Sequence, residues 1–428
     1  MATYRDTSPR SSDAADQPVR RQRRTSGGTR RTQHDVVVVG ARCAGAATAM
    51  LLARAGHDVV MVDRSHPSRD TVSTHSIVRG GVVQLDRWDV LDDVVATGAP
   101  EIRSVSFHYD GDVIRRAVKD RAGVDFLLAP RRYVLDDLLA RRAVASGAEL
   151  LTDTTVTGVL RDDPDGRVTG VTARGADGTM RELRARLVIG ADGIRSATAR
   201  HVGAEVVREY DVTGSCLYIY VGGVPWDGFE LYISDRAFAG VFPTHHGEAN
   251  VWLIRPVDDF EPVFRAGERR SEAWLAALDE AVPSLARRIR GGEITAPLRG
   301  YAGLPNHIRR PAGPGWALVG DAGYHRDPIT GHGITDAFRD AELLADAADA
   351  FLRHTMTESA AMAVYERERD SSIQQVFALT RALGAFPSKA EFLELQTRLS
   401  SALDVEAQAL AERPSLFGTD PDLNVGVA

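Results

Sequence analysis

Residues 34–63 read HDVVVVGARCAGAATAMLLARAGHDVVMVD, and this stretch decides the fold. An apolar run typical of a buried strand leads through a glycine turn into a helical stretch, and a second apolar run ends at Asp63. Gly40 permits the sharp turn, and Gly45 lets the helix pack closely on the strand. An acid about 20 residues after the glycine turn is typical of a site that holds a diphosphate at the helix N-terminus and ribose hydroxyls on the acid. The stretch therefore predicts a β–α–β unit that binds a dinucleotide.

A second informative stretch, residues 320–333, reads GDAGYHRDPITGHG between an apolar run and a helical stretch. Asp321 follows a predicted strand and is placed to hold sugar-like hydroxyls. Pro328, Gly331 and Gly333 let the backbone approach a flat ring closely. The free N–H groups at the start of the next helix favour a developing negative charge. These features suit a flavin that is held by its ribityl chain and stabilised as the reduced anion.

A third stretch, residues 187–196, reads LVIGADGIRS, an apolar strand that ends in a turn containing Asp192. The three motifs, in this order and at these separations, resemble the single-component FAD-dependent monooxygenases of the aromatic hydroxylase type, with a para-hydroxybenzoate hydroxylase-like fold. The resemblance covers about residues 34–350. It implies that the first motif holds the ADP half of FAD, that Asp192 lies by the pyrophosphate, and that the third motif holds the ribityl chain. Residues 131–135, RRYVL, resemble the element whose arginine, here Arg132, approaches the pyrophosphate.

The resemblance implies a set of cofactor and catalytic residues. The predicted FAD-binding residues are Gly40, Arg42, Cys43, Ala44, Gly45, Asp63, Arg64, Arg132, Val156, Asp192, Gly320, Asp321, Pro328, Gly331, His332 and Gly333. Pro328, Gly331 and Gly333 also receive a catalytic role at the flavin ring. His75 is the predicted catalytic base, with His245 or His246 as alternatives by residue type alone. The spacing of metal ligands is absent, so no metal site is expected.

Four positions near these motifs depart from the usual pattern or carry unusual chemistry. Arg42 replaces the second glycine of the first motif, and it contacts the pyrophosphate, the substrate side or solvent. Cys43 stands at the start of a predicted helix. It is either a thiol that the helix N-terminus makes more acidic or a small residue that fits the turn. Tyr324 and His332 stand where the family has histidine and glutamine. These two changes alter the predicted flavin environment.

The implied activity is that of an FAD-dependent, NAD(P)H-consuming monooxygenase. Non-covalent FAD, reduced by NADPH or NADH, would react with O₂ to a C4a-hydroperoxide that hydroxylates or epoxidises an aromatic or otherwise electron-rich small molecule. The alternatives are an FAD-dependent reductase of the geranylgeranyl-reductase type and a non-catalytic FAD-binding protein. A halogenase is disfavoured because residues 251–256, VWLIRP, lack the expected motif and the chain has only two lysines.

Composition narrows the expected partners and location. The chain has 428 residues and a net charge of −7, and its first 33 residues hold eight arginines and three acids. This arm is predicted to be basic and disordered, which leaves an acidic body unsuited to nucleic acid. No apolar run is long enough to cross a membrane, and two cysteines make no disulfide framework. A cytoplasmic monomer or homodimer that takes a small-molecule substrate is therefore expected.

The predicted fold class is α/β, and the predicted organisation follows the positions of the motifs. A Rossmann-like, three-layer FAD-binding domain with a parallel sheet comprises residues 34–101, 130–200 and 300–352. An inserted antiparallel-sheet substrate domain comprises residues 102–129 and 201–299, because aromatic and β-branched runs between 215 and 256 alternate with turns. Residues 353–428 form a C-terminal helical region. Helices are predicted over 272–290 and 334–411.

Overall fold

The computed structural model describes residues 33–164 and 166–414, which form three β-sheets and eleven α-helices. Apart from residue 33, the predicted N-terminal arm lies outside the described residues. None of the described helices combines the length and the hydropathy that a bilayer span needs.

The largest sheet carries the first glycine motif. Its spatial order is β16 (Ala312–Gly313), β17 (Trp316–Leu318), β8 (Met180–Gly190), β1 (Gln33–Val39), β2 (Val59–Val62) and β5 (Glu149–Leu151). All neighbours from β17 to β5 pair in parallel, and β16 pairs antiparallel at the edge. β6 (Thr155–Arg161) and β7 (Val168–Arg174) extend the sheet from β8 as an antiparallel meander. The parallel sheet expected from the apolar runs is confirmed.

The valines of β1 show why this part has three layers. Val36 and Val38 join a core with the helices α1 (Cys43–Arg54), α4 (Arg132–Ala145) and α9 (Gly333–Leu352). Val37 and Val39 join a separate core with β7 and α5 (Ala197–Val202). A parallel strand that is covered on both faces reads as a continuous apolar run, as this one does. α2 (Arg79–Arg87), α3 (Leu91–Ala96) and α10 (Glu358–Gly384) pack on the first of these faces.

The second sheet has seven strands. Its spatial order is β14 (Glu293–Tyr301), β10 (Gly214–Gly222), β13 (Ala249–Pro256), β12 (Ala237–Pro243), β11 (Phe229–Ser234), β3 (Ser104–Tyr109) and β4 (Asp112–Ala117). The expected antiparallel pairing is confirmed except between β11 and β3, which run parallel. One face is covered by α6 (Glu261–Arg265), α7 (Arg270–Ala281) and α8 (Pro283–Ile289). α11 (Lys389–Glu412) packs over the other face.

The third sheet was not expected from the sequence. It joins β18 (Tyr324–His325), β15 (Asn306–Arg309) and β9 (Val206–Tyr210). Strands of two to five residues are too short to show a period of two, so the sequence carried no signal for them. This sheet supports the third motif, because β18 lies inside it.

The predicted helical stretches exist but are divided. Residues 272–290 hold α7 and α8, which Pro283 separates because proline is favoured at the first position of a new helix. Residues 334–411 hold α9, α10 and α11, with breaks at 353–357 and 385–388. The predicted domain boundaries stay a proposal, and β14 runs across the one at residues 299–300.

Candidate active site

The three motif turns meet at the carboxyl ends of adjacent strands. A Cβ atom on Gly40 would lie 2.5 Å from the carbonyl oxygen of Ala191, and one on Gly320 would lie 3.0 Å from the Cβ of Ala44. Both glycines have positive φ, at +105° and +59°. The turns that follow β1, β8 and β17 are therefore closely packed together. This is the edge of a parallel α/β sheet at which ligands bind.

The first turn is closed tightly and is oriented by Asp63. A Cβ on Gly45 would lie 1.9 Å from the carbonyl oxygen of Gly40, so this position admits no side chain. One carboxylate oxygen of Asp63 accepts the Ala41 N–H at 2.9 Å, and the other accepts the Ser65 N–H at 2.9 Å. The carboxylate thus stands at the end of β2 beside the turn, where a ribose would lie. Arg64 follows it and is exposed.

Asp136 forms ion pairs with two of the predicted FAD-binding residues, Arg132 and Arg42. This fully buried carboxylate accepts hydrogen bonds from Arg132 at 3.0 Å and from Arg42 at 3.3 Å. The thiol of Cys43 donates to it at 3.1 Å. Burial raises the pKa of Cys43 above its ordinary value, so the thiol stays protonated and the acidic-thiol alternative is disfavoured. Asp136 was missed, although it stands four residues after Arg132, which is the spacing of an i,i+4 pair on a helix such as α4.

The two predicted flavin acids on neighbouring strands behave differently. Asp192 accepts hydrogen bonds from the backbone N–H groups of Ala197 at 2.8 Å and Thr198 at 2.9 Å. Its second oxygen accepts the Ser196 hydroxyl, so Asp192 stabilises the start of α5. Asp321 is exposed by its surface area and makes no hydrogen bond to other described residues, although desolvation raises the pKa of its carboxyl. Asp321 is therefore the acid that is free to accept ribityl hydroxyls.

The loop between β18 and α9 is held by a residue that the sequence did not single out. The side chain of Asp327 accepts the N–H groups of Ile329 at 3.0 Å and Gly214 at 3.1 Å. It thus ties the Pro328–Thr330 turn to the beginning of β10. Gly331 follows with φ +62°, a conformation that favours glycine. The α9 helix then begins at Gly333, where an added Cβ would meet nothing within 4 Å.

His332, in the same loop, belongs to a buried charge network. Its Nε2 lies 2.7 Å from Glu406 of α11, and Arg339 donates to Glu406 and Asp336 at 2.8 Å each. Burial alone would raise the pKa of Glu406, but His332 and Arg339 lower it to about 2. Arg339 also donates to the Tyr324 hydroxyl at 2.8 Å. Tyr324 and His332, the two residues of the third motif that depart from the family pattern, thus connect the segment around β18 and the loop after it to the helices α9 and α11.

The same network could be mistaken for a metal site. Ligand atoms of His332, Asp336 and Glu406 lie within 4.8 Å of one another. The guanidinium of Arg339 already binds both carboxylates, and Arg326 binds Asp336 at 2.6 Å. Two adjacent cations oppose the binding of a third, so we interpret this cluster as an ion-pair network.

An apolar pocket adjoins the loop. Its volume is about 150 Å³, enough for a benzene ring in other proteins. The pocket lies between the seven-stranded sheet, the Pro328–Gly331 loop, the segment before α2, and α11. The lining residues are Thr74, Ser76, Val78, Val105, Phe107, Leu127, Phe229, Leu231, Phe238, Phe242, Trp252, Ile254, Pro328, Ile329, Thr330, Gly331, Gln396, Leu399, Ser400 and Leu403. None of these described residues has an ionisable side chain.

The sheet wall of the pocket is formed by alternate residues on neighbouring strands. Phe238 and Phe242 of β12 lie on the same face as Trp252 of β13. Gly240 lies between them, and a Cβ there would come 2.3 Å from the indole of Trp252. The glycine therefore makes room for the indole across the strand pair. The sequence of one strand shows which side chains alternate between its two faces. Only the register between β12 and β13 shows that Phe238, Phe242 and Trp252 form one wall.

His75, the predicted base, lies outside the lining of the pocket. It is buried, with φ +68°, and its Nε2 pairs with the hydroxyl of Tyr220. Burial, assisted by Arg132 and Arg131, lowers the pKa of His75 well below 6.5, so the imidazole is neutral. Its neighbours Thr74 and Ser76 line the pocket instead. The catalytic role of His75 stays a prediction.

The other histidine candidates also lie outside the lining. His245 accepts the backbone N–H of Arg131 at 3.2 Å, and burial lowers its pKa to about 4. His246 is exposed. Val156 is partly buried in β6 and packs against the β7 side of the large sheet. The turn before it is tied to Asp63, whose carbonyl accepts the Thr154 N–H at 2.9 Å.

FAD fits the residues at the edge of the large sheet. The close packing at Gly40 and Gly320 brings the three motif turns together at the edge where a diphosphate and a ribityl chain would lie. Arg132 and Arg42 supply positive charge, and Asp321 supplies an acceptor without a protein partner. The α9 N-terminus offers free N–H groups beside the pocket.

Comparison with known proteins agrees with this geometry. A family model described as "FAD binding domain" matches residues 33–380. The chain belongs to this family of FAD-binding oxidoreductases. Digeranylgeranylglycerophospholipid reductase 1 of Methanopyrus kandleri is 27% identical over 87% of this chain and 96% of its own length. Reductase 2 of the same name from Methanothermobacter thermautotrophicus is 30% identical over 78% of this chain and 82% of its own length.

Further similarities extend to a quinone enzyme and to a solved structure. The menaquinone reductase of Mycolicibacterium smegmatis is 29% identical over 74% of this chain and 76% of its own length. PqsL of Pseudomonas aeruginosa, described as a probable FAD-dependent monooxygenase, superposes with a TM-score of 0.74 over 85% of this chain and 100% of its own. At 24% identity this likeness shows the fold alone. The expected α/β FAD-binding fold is confirmed.

Proposed function

We propose that the protein is an FAD-dependent oxidoreductase that reduces a lipophilic, unsaturated molecule. One observation carries this proposal: the pocket beside the Pro328–Gly331 loop is lined by apolar and aromatic side chains, and no described lining residue is ionisable. A charged substrate would lose its hydration there without a counter-charge. An apolar molecule gains from the same burial.

The relatives support reduction as the reaction. Three of them, which span 74–87% of this chain, are named for the reduction of a prenyl-bearing lipid or of menaquinone. The names share a long unsaturated hydrocarbon part, which the phospholipid joins to an anionic headgroup. The apolar pocket of this chain suits the same general chemistry.

Each group of residues in the site would contact a different part of the cofactor or the substrate. Asp321 would hold the ribityl hydroxyls, and Arg132 and Arg42 would balance the diphosphate charge. Free backbone N–H groups in the first turn of α9, which begins at Gly333, would face the ring and favour its negative charge. The aromatic sheet wall would hold the substrate and exclude water. When bound, FAD supplies two-electron transfer between NADPH or NADH and the substrate.

Monooxygenation is the second candidate, and the start of α9 favours it. A helix N-terminus beside the ring stabilises negative charge there, which suits the activation of O₂ as well as hydride transfer. Because the pocket wall offers no base, this reaction would favour an electron-rich alkene or ring over a phenol that must lose a proton.

The two candidates are separated by the product. The FAD-loaded protein is mixed with NADPH or NADH and with a quinone or a polyprenol, first without oxygen and then under oxygen-18 gas. Reduction predicts a product that gains two hydrogens without oxygen. Monooxygenation predicts no anaerobic product and one labelled oxygen atom under the gas. If neither lipid is converted while a water-soluble anionic aromatic is, the proposal is wrong.

A further inference from the structure

Gln396 is a buried polar side chain in an apolar pocket. It lies on α11, is 7% exposed and lines the cavity. No hydrogen bond joins its amide to any other described residue. The amide atoms keep some exposure, and the residue lines the cavity. A ligand that displaced water from the amide without offering a partner would lose about 1–3 kcal/mol, so a matching polar group is favoured. A ligand bound in the cavity would supply the hydrogen-bond partner that the described residues do not give to this amide.

The position of Gln396 on α11 directs it toward such a ligand. Gln396, Leu399, Ser400 and Leu403 recur at helical spacing and form the pocket wall opposite the aromatic sheet. Ser400 is exposed, whereas Leu399 is buried beside Gln396. The amide is therefore an isolated polar group between apolar neighbours on the inner part of this wall.

The absence of charge in the described lining limits what the amide can bind. No lining residue is Arg, Lys or His, so a carboxylate or phosphate would be buried there without a counter-ion. A neutral carbonyl accepts a hydrogen bond from the amide NH₂, and a hydroxyl can donate to its oxygen as well. The matching group is thus an uncharged oxygen.

We propose that Gln396 binds a neutral carbonyl or hydroxyl group of an otherwise lipophilic substrate and so makes α11 a specificity element. This inference rests on the proposed function, because it assumes that the apolar pocket holds the substrate. α11 lies beyond residues 33–380, the part that the family model matches. The selectivity that it gives is then a property of this chain outside the shared cofactor fold.

Three single-ring probes of similar size test the inference by calorimetric titration of the FAD-loaded protein. Acetophenone has a neutral carbonyl, ethylbenzene has no oxygen, and benzoate is an anion. None of them is reduced by a flavin under these conditions, so binding is measured apart from catalysis. We expect acetophenone to bind more tightly than ethylbenzene, and benzoate to bind most weakly.

The matched variants are Gln396→Met and Gln408→Met. Methionine keeps the length of the side chain and removes its hydrogen bonds, and Gln408 is exposed on the same helix. Gln396→Met should weaken acetophenone binding about five- to tenfold, as the loss of one hydrogen bond predicts, while ethylbenzene binding stays the same or tightens. Gln408→Met should change neither affinity. Gln396→Leu serves as a second variant if the first fails to fold.

The outcomes separate this inference from the proposed function. If both variants at Gln396 bind acetophenone as the wild type does, the inference is wrong and the proposed function stands. If the wild type binds benzoate but neither neutral probe, the apolar-substrate proposal fails and the inference falls with it.

Discussion

The flavin cleft and the substrate pocket are built in opposite ways. The cleft lies at the ends of parallel strands, where bare glycine turns, Asp63 and Asp321 present backbone and carboxylate groups. The pocket lies on the face of an antiparallel sheet and presents side chains without charge. In the proposed function, cofactor recognition would depend on three short turns. Substrate recognition would depend on pocket residues scattered from Thr74 to Leu403.

The largest expected effect tests how strictly the cleft depends on its turns. Gly45→Ala should destabilise the protein by about 3 kcal/mol or more, because the new Cβ would lie 1.9 Å from the Gly40 carbonyl oxygen. Gly333→Ala is the control, since its Cβ would meet nothing within 4 Å. Urea unfolding of the FAD-free variants measures both. Equal unfolding midpoints for the two variants would contradict the close-packed turn.

The next prediction separates flavin binding from folding within the cleft. Asp321→Ala should weaken FAD binding about 10- to 100-fold, the equivalent of about 1.5–3 kcal/mol for a charge-assisted hydrogen bond. The stability of the FAD-free protein should not change, because Asp321 is exposed and has no protein partner among the described residues.

The neighbouring acid provides the comparison for Asp321. Asp192→Ala should lower the stability of the FAD-free protein by about 1 kcal/mol, since it removes the acceptor of the Ala197 and Thr198 N–H groups beside the Ser196 cap of α5. Fluorescence titration with FAD and thermal unfolding are measured for both variants. A loss of FAD affinity confined to Asp192→Ala would reverse the assignment.

The cleft could be predicted from the sequence because its signals are local. Gly40, Gly45 and Asp63 occur within one β–α–β stretch, and the turns around Asp192 and Asp321 each follow an apolar run. These strands have the expected parallel pairing and meet at one edge. The sequence could not show that Asp192 bonds to the helix after it, because the same Asp-Gly turn serves a cap or a ligand equally well.

The pocket could be predicted only in outline. The aromatic and β-branched runs between 215 and 256 indicated a sheet, but the shared wall of Phe238, Phe242 and Trp252 depends on strand register. α11 lies about 150 residues after β12 in the chain, and helical periodicity does not tell which surface a helix covers. His75 was chosen by residue type, whereas its neighbours Thr74 and Ser76 line the pocket.

A third prediction concerns the link between the two regions, the contact of His332 with Glu406. Glu406→Gln should destabilise the protein by about 2 kcal/mol at pH 7, because His332 and Arg339 lose their charged partner. The pKa of Glu406 is lowered from 4.5 to about 2 in the folded protein. Its stabilising effect is therefore complete above pH 4.5 and is lost as the pH falls toward 2.

The measurement is urea unfolding of the wild type and Glu406→Gln at pH 7 and between pH 5 and 3. The difference in unfolding free energy should stay constant above pH 5 and shrink below it. Glu394→Gln is the control, since Glu394 is exposed on the same helix. A difference that grows as the pH falls would exclude the ion pair as its cause.

The smallest expected effect tests whether the aromatic wall acts on the substrate alone. Phe242 lines the pocket and packs against Phe229 with ring centroids 4.3 Å apart, so Phe242→Leu removes part of an aromatic surface. We expect KM for a lipophilic substrate to rise about fivefold, the equivalent of about 1 kcal/mol, while kcat and FAD content stay near the wild-type values.

Phe264→Leu is the control, because Phe264 packs with the helices on the opposite face of the same sheet. It should leave KM unchanged even if it lowers stability by a similar amount. A fall in FAD content with Phe242→Leu would show that the wall also supports the cofactor, and the separation between cleft and pocket would then have to be abandoned.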